Sequence, residues 1–127
     1  MSKGFLVDTD ILIDFLRGWP EAVKYVNSQA DNIVVSAISI AELYAGVKDE
    51  KDKEELEAFI GIFPVLEING QIARQAGLYK NKYFKSHNIG LADALIAASA
   101  NHHNVILKTL NCRHFPMFPA IEPPYVK

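Results

Sequence analysis

What most limits the folds open to this chain is an alternation that runs almost from end to end. Short β-branched runs are followed, again and again, by longer stretches with helical spacing. Residues 5–7, 33–35, 65–68 and 105–107 read as strands. Helices are expected over residues 11–19, 21–29, 38–47, 52–62, 72–84 and 91–102. Gly18 and Pro20 end the first of these. Strands joined through helices cannot be hairpins, so crossovers and a parallel sheet follow. The expected fold is α/β, a three-layer α/β/α sandwich around a central parallel sheet. Beyond Phe115, four prolines leave the tail irregular or a short edge strand at Ile121.

The 127 residues make one domain, residues 1–127, since about 150 residues per domain is the usual scale. With 50% hydrophobic and 22% charged residues, the chain is not disordered. Cys112 is the single cysteine, which excludes an intramolecular disulfide and a Cys-rich zinc site. The apolar run 5–7 is cut short by Asp8, too early for a signal peptide, and no stretch is long enough to span a membrane. A soluble cytoplasmic protein with no membrane partner is expected. Thirteen Lys and Arg against fifteen Asp and Glu give a net charge of −2, which argues against a uniformly basic coat for nucleic acid.

Three acids stand where a parallel sheet collects ligands, near the carboxyl ends of strands. Asp8 follows the first strand, Glu42 lies in the first turns of the helix after the second, and Asp93 opens the helix before the fourth. Each has a structural alternative. Asp8 or Asp10 could cap the helix from Ile11. Ser39-Ile40-Ala41-Glu42 fits a capping box. Asp93 suits the dipole of its own helix. Yet residues 91–98 are apolar on every side apart from Asp93, so that helix should be buried. A lone carboxylate there costs several kcal/mol unless something compensates it, and a bound cation would. An oxygen-only set of ligands favours Mg²⁺ or Mn²⁺ over Zn²⁺, ions suited to hydrolysing phosphodiesters.

At these residues the chain resembles the PIN-domain ribonucleases, and among them the VapC-type toxins of toxin–antitoxin pairs. The matching stretches are Val7-Asp8-Thr9-Asp10-Ile11-Leu12-Ile13-Asp14, Ser36-Ala37-Ile38-Ser39-Ile40-Ala41-Glu42-Leu43, Leu91-Ala92-Asp93-Ala94-Leu95-Ile96-Ala97-Ala98, and Leu107-Lys108-Thr109-Leu110-Asn111 with His114-Phe115. The resemblance implies a metal-dependent endoribonuclease whose Asp8, Glu42 and Asp93 are catalytic and hold Mg²⁺ or Mn²⁺. It implies a homodimer and a cognate antitoxin that covers the site. Asp10, where the family commonly has Asn, together with Thr109 and Asn111, is given a supporting role around the ion. Asn111 departs from the acid many PIN domains carry there, and His114 stands where others have Asp. Asp14, one turn beyond Asp10, orients neighbours or faces solvent.

Residues 74–87 contain no acid, whereas residues 49–57 carry six acids and two Lys. Arg74, Lys80, Lys82 and Lys85, interleaved with Tyr79, Tyr83 and Phe84, could contact RNA phosphates and stack on bases. The structural alternative is a solvated helix with its aromatics in the core. His114 reads as an ordinary loop residue and Cys112 as a bystander. Two rival functions remain open: a non-catalytic PIN-like module that binds RNA or protein, and a phosphatase built on Asp8-Thr9-Asp10.

Overall fold

A computed structural model describes residues 4–127 of the chain. Among the described residues the expected alternation is present, as four strands and six α-helices. In chain order they are β1 (Phe5–Val7), α1 (Thr9–Leu16), α2 (Pro20–Gln29), β2 (Ile33–Ser36), α3 (Ala37–Ala45), α4 (Glu50–Ile60), β3 (Val65–Leu66), α5 (Gly70–His87), α6 (Leu91–His103) and β4 (Ile106–Lys108). All pairings are parallel, and the strand order is β3-β2-β1-β4.

Side chains of a strand alternate between its two faces, and the two cores follow that alternation. On one face Val7, Ile33 and Val35 pack with Ile11, Leu12, Val26, Leu43, Leu56 and Phe59 from α1 to α4. On the other, Leu6 and Leu107 meet Ile96, Ala97 and Ala100 of α6. α5 packs behind through Ile72 and Ala76, which meet Ala94 and Ala98. The three-layer α/β/α arrangement is therefore the observed one.

Local chemistry sets the element ends. Gly18 takes a positive φ of 78°, which suits a residue without Cβ, and Pro20 opens α2. α5 runs beyond both expected ends. Asn69 Oδ1 accepts from the Ile72 amide at 2.9 Å, and Asn88 stops the helix in the left-handed region at φ 49°. β3 has only two residues, where four were expected, and no strand forms at Ile121.

One topological fact places the site. From β1 the chain moves outward to β2 and β3, then returns to lay β4 on the opposite side of β1. The crevice between the carboxyl ends of β1 and β4 is thus a switch point, where open parallel sheets bind ligands.

Candidate active site

Asp8 and Thr109 face each other across that crevice. Asp8 donates its amide to the Lys108 carbonyl at 2.9 Å, extending the β1–β4 ladder by one rung. Its carboxylate is 5% exposed. Oδ1 accepts from the Thr9 amide at 2.8 Å and Oδ2 from Thr109 Oγ1 at 2.7 Å. The cap of α1 is therefore Asp8, and the helix begins at Thr9 rather than Ile11. Asp10 instead reaches across to the loop after β4: its Oδ2 accepts from the Leu110 amide at 3.0 Å, while Oδ1 accepts from the Ile11 amide at 2.7 Å. Thr109 is fully buried and accepts from the Asn111 amide at 3.1 Å. Its one proton goes to Asp8, since Asp10 Oδ2 is farther away at 3.4 Å.

Glu42 is not part of a capping box. α3 starts at Ala37, capped by Ser36, whose Oγ accepts from the Ile38 amide at 3.2 Å. Ser39 is thus already inside the helix, and the Glu42 side chain turns toward α1. Thr9 Oγ1 lies 2.7 Å from Glu42 Oε1 and 2.8 Å from Ser39 Oγ. A carboxylate only accepts, so the Thr9 proton goes to Glu42. Thr9 is 7% exposed and binds the first and second acids of the site together. Its only sequence signal is its place between two aspartates.

Asp93 sits in the first turn of α6 with its side chain 29% exposed. Its Oδ2 lies 3.2 Å from His114 Nδ1, so the loop position of His114 comes with an acid partner. The middle of α6 is buried, at Ala94 and from Ile96 to Ala100, whereas its first residue Leu91 and its last, Asn101 to His103, are exposed. Of the two expectations for Asp14, the structure rules out the solvent-facing one. Asp14 is 6% exposed and binds residues from the end of the chain, Tyr125 and Lys127.

The electrostatics are those of acids lacking a counter-charge. Burial, with Asp10 and Asp93 adding repulsion, pushes the Asp8 carboxyl up to about 7 against the hydrogen bonds from Thr109 and Thr9. Burial and the nearby Asp14 also raise Asp10. The donors are all oxygen, which suits a hard divalent ion. They are not closed into a cage, however. Among the described residues no three His, Cys, Asp or Glu side chains stand ready to hold a metal as arranged. Glu42 is held by Thr9 and Asp93 by His114.

The basic residues lie apart, on α5. Lys80 donates to the Ile89 carbonyl at 3.1 Å and lies over the Phe84 ring, while Lys82 lies over Tyr83. Arg74 and Lys85 are exposed, and among the described residues none of the four forms a salt bridge with an acid. Tyr79 and Tyr83 pack into the core beside α6, whereas Phe84 is exposed.

A family model described as PIN domain matches residues 5–115. The chain belongs to the PIN-domain family. It is 42% identical over 125 residues to a Mycobacterium tuberculosis protein named Ribonuclease VapC10, covering 94% of this chain and 92% of the relative. Identity to Ribonuclease VapC19 of the same organism is 40% over 124 residues, covering 94% and 98%. Among solved structures, a toxin–antitoxin complex from Klebsiella pneumoniae superposes with a TM-score of 0.82 at 26% identity, covering 98% and 99% of the two chains. A DNA-bound VapBC from Salmonella typhimurium gives a TM-score of 0.82 at 25% identity, covering 98% and 100%. The PIN-domain match opens on the first residue of β1 and closes on Phe115, so every acid of the site lies inside it.

Proposed function

We propose that this PIN domain is a divalent-metal-dependent endoribonuclease, the toxin of a toxin–antitoxin pair. The observation that carries the reading is the buried Asp8 carboxyl at the switch point, crowded by Asp10 and Asp93 and in need of positive charge. Asp8, Glu42 and Asp93 would hold Mg²⁺ or Mn²⁺. When bound, such an ion supplies an activated water and stabilises charge on the phosphodiester oxygens. The protein's part is preorganisation. Thr109 fixes one oxygen of Asp8, Thr9 fixes Glu42, and Asp10 fastens the start of α1 to the loop after β4. Arg74, Lys80, Lys82 and Lys85 serve as phosphate contacts along α5.

The partners follow from the surface. A groove of about 290 Å³ between α1, α3 and α4 runs past Glu42, lined by Ile13, Leu16, Leu43 and Val47. An antitoxin segment seated there would cover the site, which agrees with the toxin–antitoxin complexes among the similar structures. Exposed Leu78, Phe84 and Leu91 offer apolar surface to a second copy. Among the described residues no helix is long and apolar enough to cross a membrane.

The test is cleavage of single-stranded RNA by the purified protein with Mg²⁺ or Mn²⁺, with the new ends sequenced. Asp93→Asn should abolish cutting and leave the circular dichroism spectrum unchanged; undiminished cutting by that variant would sink the assignment. The second reading, a non-catalytic module, is favoured by Asn111, which brings no charge where many PIN domains have an acid. It predicts that calorimetric titration with Mn²⁺ shows no binding that depends on Asp8.

A further inference from the structure

Asp14 has no part in the chemistry described above, yet it is among the most tightly held side chains near the site. It lies one turn beyond Asp10 on α1 and is 6% exposed. Both its oxygens are taken by residues more than a hundred positions away. Tyr125 Oη donates to Oδ2 at 2.8 Å, and Lys127 Nζ donates to Oδ1 at 3.0 Å. The Tyr125 ring packs against the core face built on Val7 and Ile11. The Lys127 ammonium also lies 4.8 Å from the centre of the Trp19 ring. These contacts pin the tail to α1 and to the start of α2.

The pinned tail borders an open cleft. The cleft, of about 430 Å³, is lined by Asp10, Asp14 and Asn111 together with Pro123, Tyr125 and Lys127. That volume falls among small-ligand sites, which run from about 300 to 1,000 Å³. The cleft begins at Asp10 and Asn111, where Asp10 bonds the loop carrying Asn111. Residues 116–127 lie beyond the PIN-domain match, so this wall is not part of what the family model describes.

We propose that residues 123–127 form the outer wall of a subsite for the nucleotide next to the cleaved bond, and that Asp14 is the positioning residue that holds this wall. The proposal rests on the ribonuclease reading. Its chemistry is that of a single-stranded chain leaving the acid cluster. Lys127 neutralises Asp14, which removes a second uncompensated carboxylate from the path of a phosphate. Its side chain is 46% exposed, and an ammonium has three donors, so a phosphate oxygen can share it with Asp14. Pro123 and Val126 add apolar surface to the same wall.

The test compares wild type with the double variant Tyr125→Phe/Lys127→Ala, whose fold is checked by circular dichroism because it leaves the buried Asp14 without either partner. Amide exchange over residues 119–127 reports release of the wall. KM and kcat are measured on a short fluorescein-labelled single-stranded RNA of mixed sequence, and Kd for the same RNA is measured by anisotropy in an Asp93→Asn background. The expected result is faster exchange, KM and Kd raised roughly tenfold, and kcat changed less than about twofold. Lys127→Arg should keep KM near wild type. A released wall with KM and Kd unchanged overturns the proposal and leaves the tail a structural strap. A wild type that binds RNA without cutting it refutes the ribonuclease reading alone, and the wall is then judged by the Kd ratio. A wild type that does not bind RNA overturns both.

Discussion

Thr109 Oγ1 donates to Asp8 Oδ2 at 2.7 Å, joining two residues 101 positions apart. This bond closes the crevice between β1 and β4 at its floor and aims the Asp8 carboxylate. It also exposes the balance on which the site rests: two donors favour the charged carboxylate, while burial and two neighbouring acids oppose it.

Removing the donor tests that balance. Thr109→Val keeps the shape but leaves Asp8 Oδ2 and the Asn111 amide without their hydroxyl partner. Loss of stability by about 1–3 kcal/mol is expected, read from urea denaturation. An unchanged midpoint would show that the bond contributes nothing.

The raised Asp8 pKa makes a prediction about pH. Between about 4 and 7 the folded, metal-free protein keeps a proton on Asp8 that the unfolded chain has released. Stability from this group is therefore lost as pH rises through that interval, at about 1.4 kcal/mol per unit as an upper bound. Asp8→Asn removes the penalty. Its melting temperature without metal should exceed wild type at pH 8, and the gap should close by pH 5; a constant gap contradicts the assignment.

A divalent ion should reverse that order. Mn²⁺ at about one hundred times its Kd adds roughly 2.7 kcal/mol to a protein that binds it only when folded. Wild type should melt higher with Mn²⁺ and Asp8→Asn should not. Equal shifts in both would place the ion elsewhere.

Thr9→Val probes the link between the first two acids. Without the Thr9 hydroxyl, Glu42 loses its 2.7 Å partner and the order it gains from α1. RNA cleavage should fall roughly tenfold, with the loss in kcat. A rise confined to KM would assign Thr9 to RNA binding instead.

Much of the fold is legible in the residues, because hydrophobic periodicity is a local signal. β1, β2 and β4 lie within a residue of the runs that predict them, and the apolar stretch 91–98 is a helix buried at Ala94 and from Ile96 onward, with Leu91 exposed. The acids are legible one by one, yet their partners are not. Ser39 and Glu42 fit a capping box in sequence, but Ser36 starts the helix one turn earlier and frees Glu42 for Thr9. Asp14 looks like a surface residue of α1 because Tyr125 and Lys127, which bury it, are more than a hundred residues away. Such pairings arise from how the sheet closes, and nothing in a helical period announces them.

The strand order has a consequence for the newborn chain. Synthesis runs from the amino end, and domains fold as their segments become available. Asp8, Glu42 and Asp93 all precede β4, the strand that covers the free edge of β1 and brings Thr109 to Asp8. A nascent chain short of residue 106 therefore carries the full complement of acids with no floor beneath them.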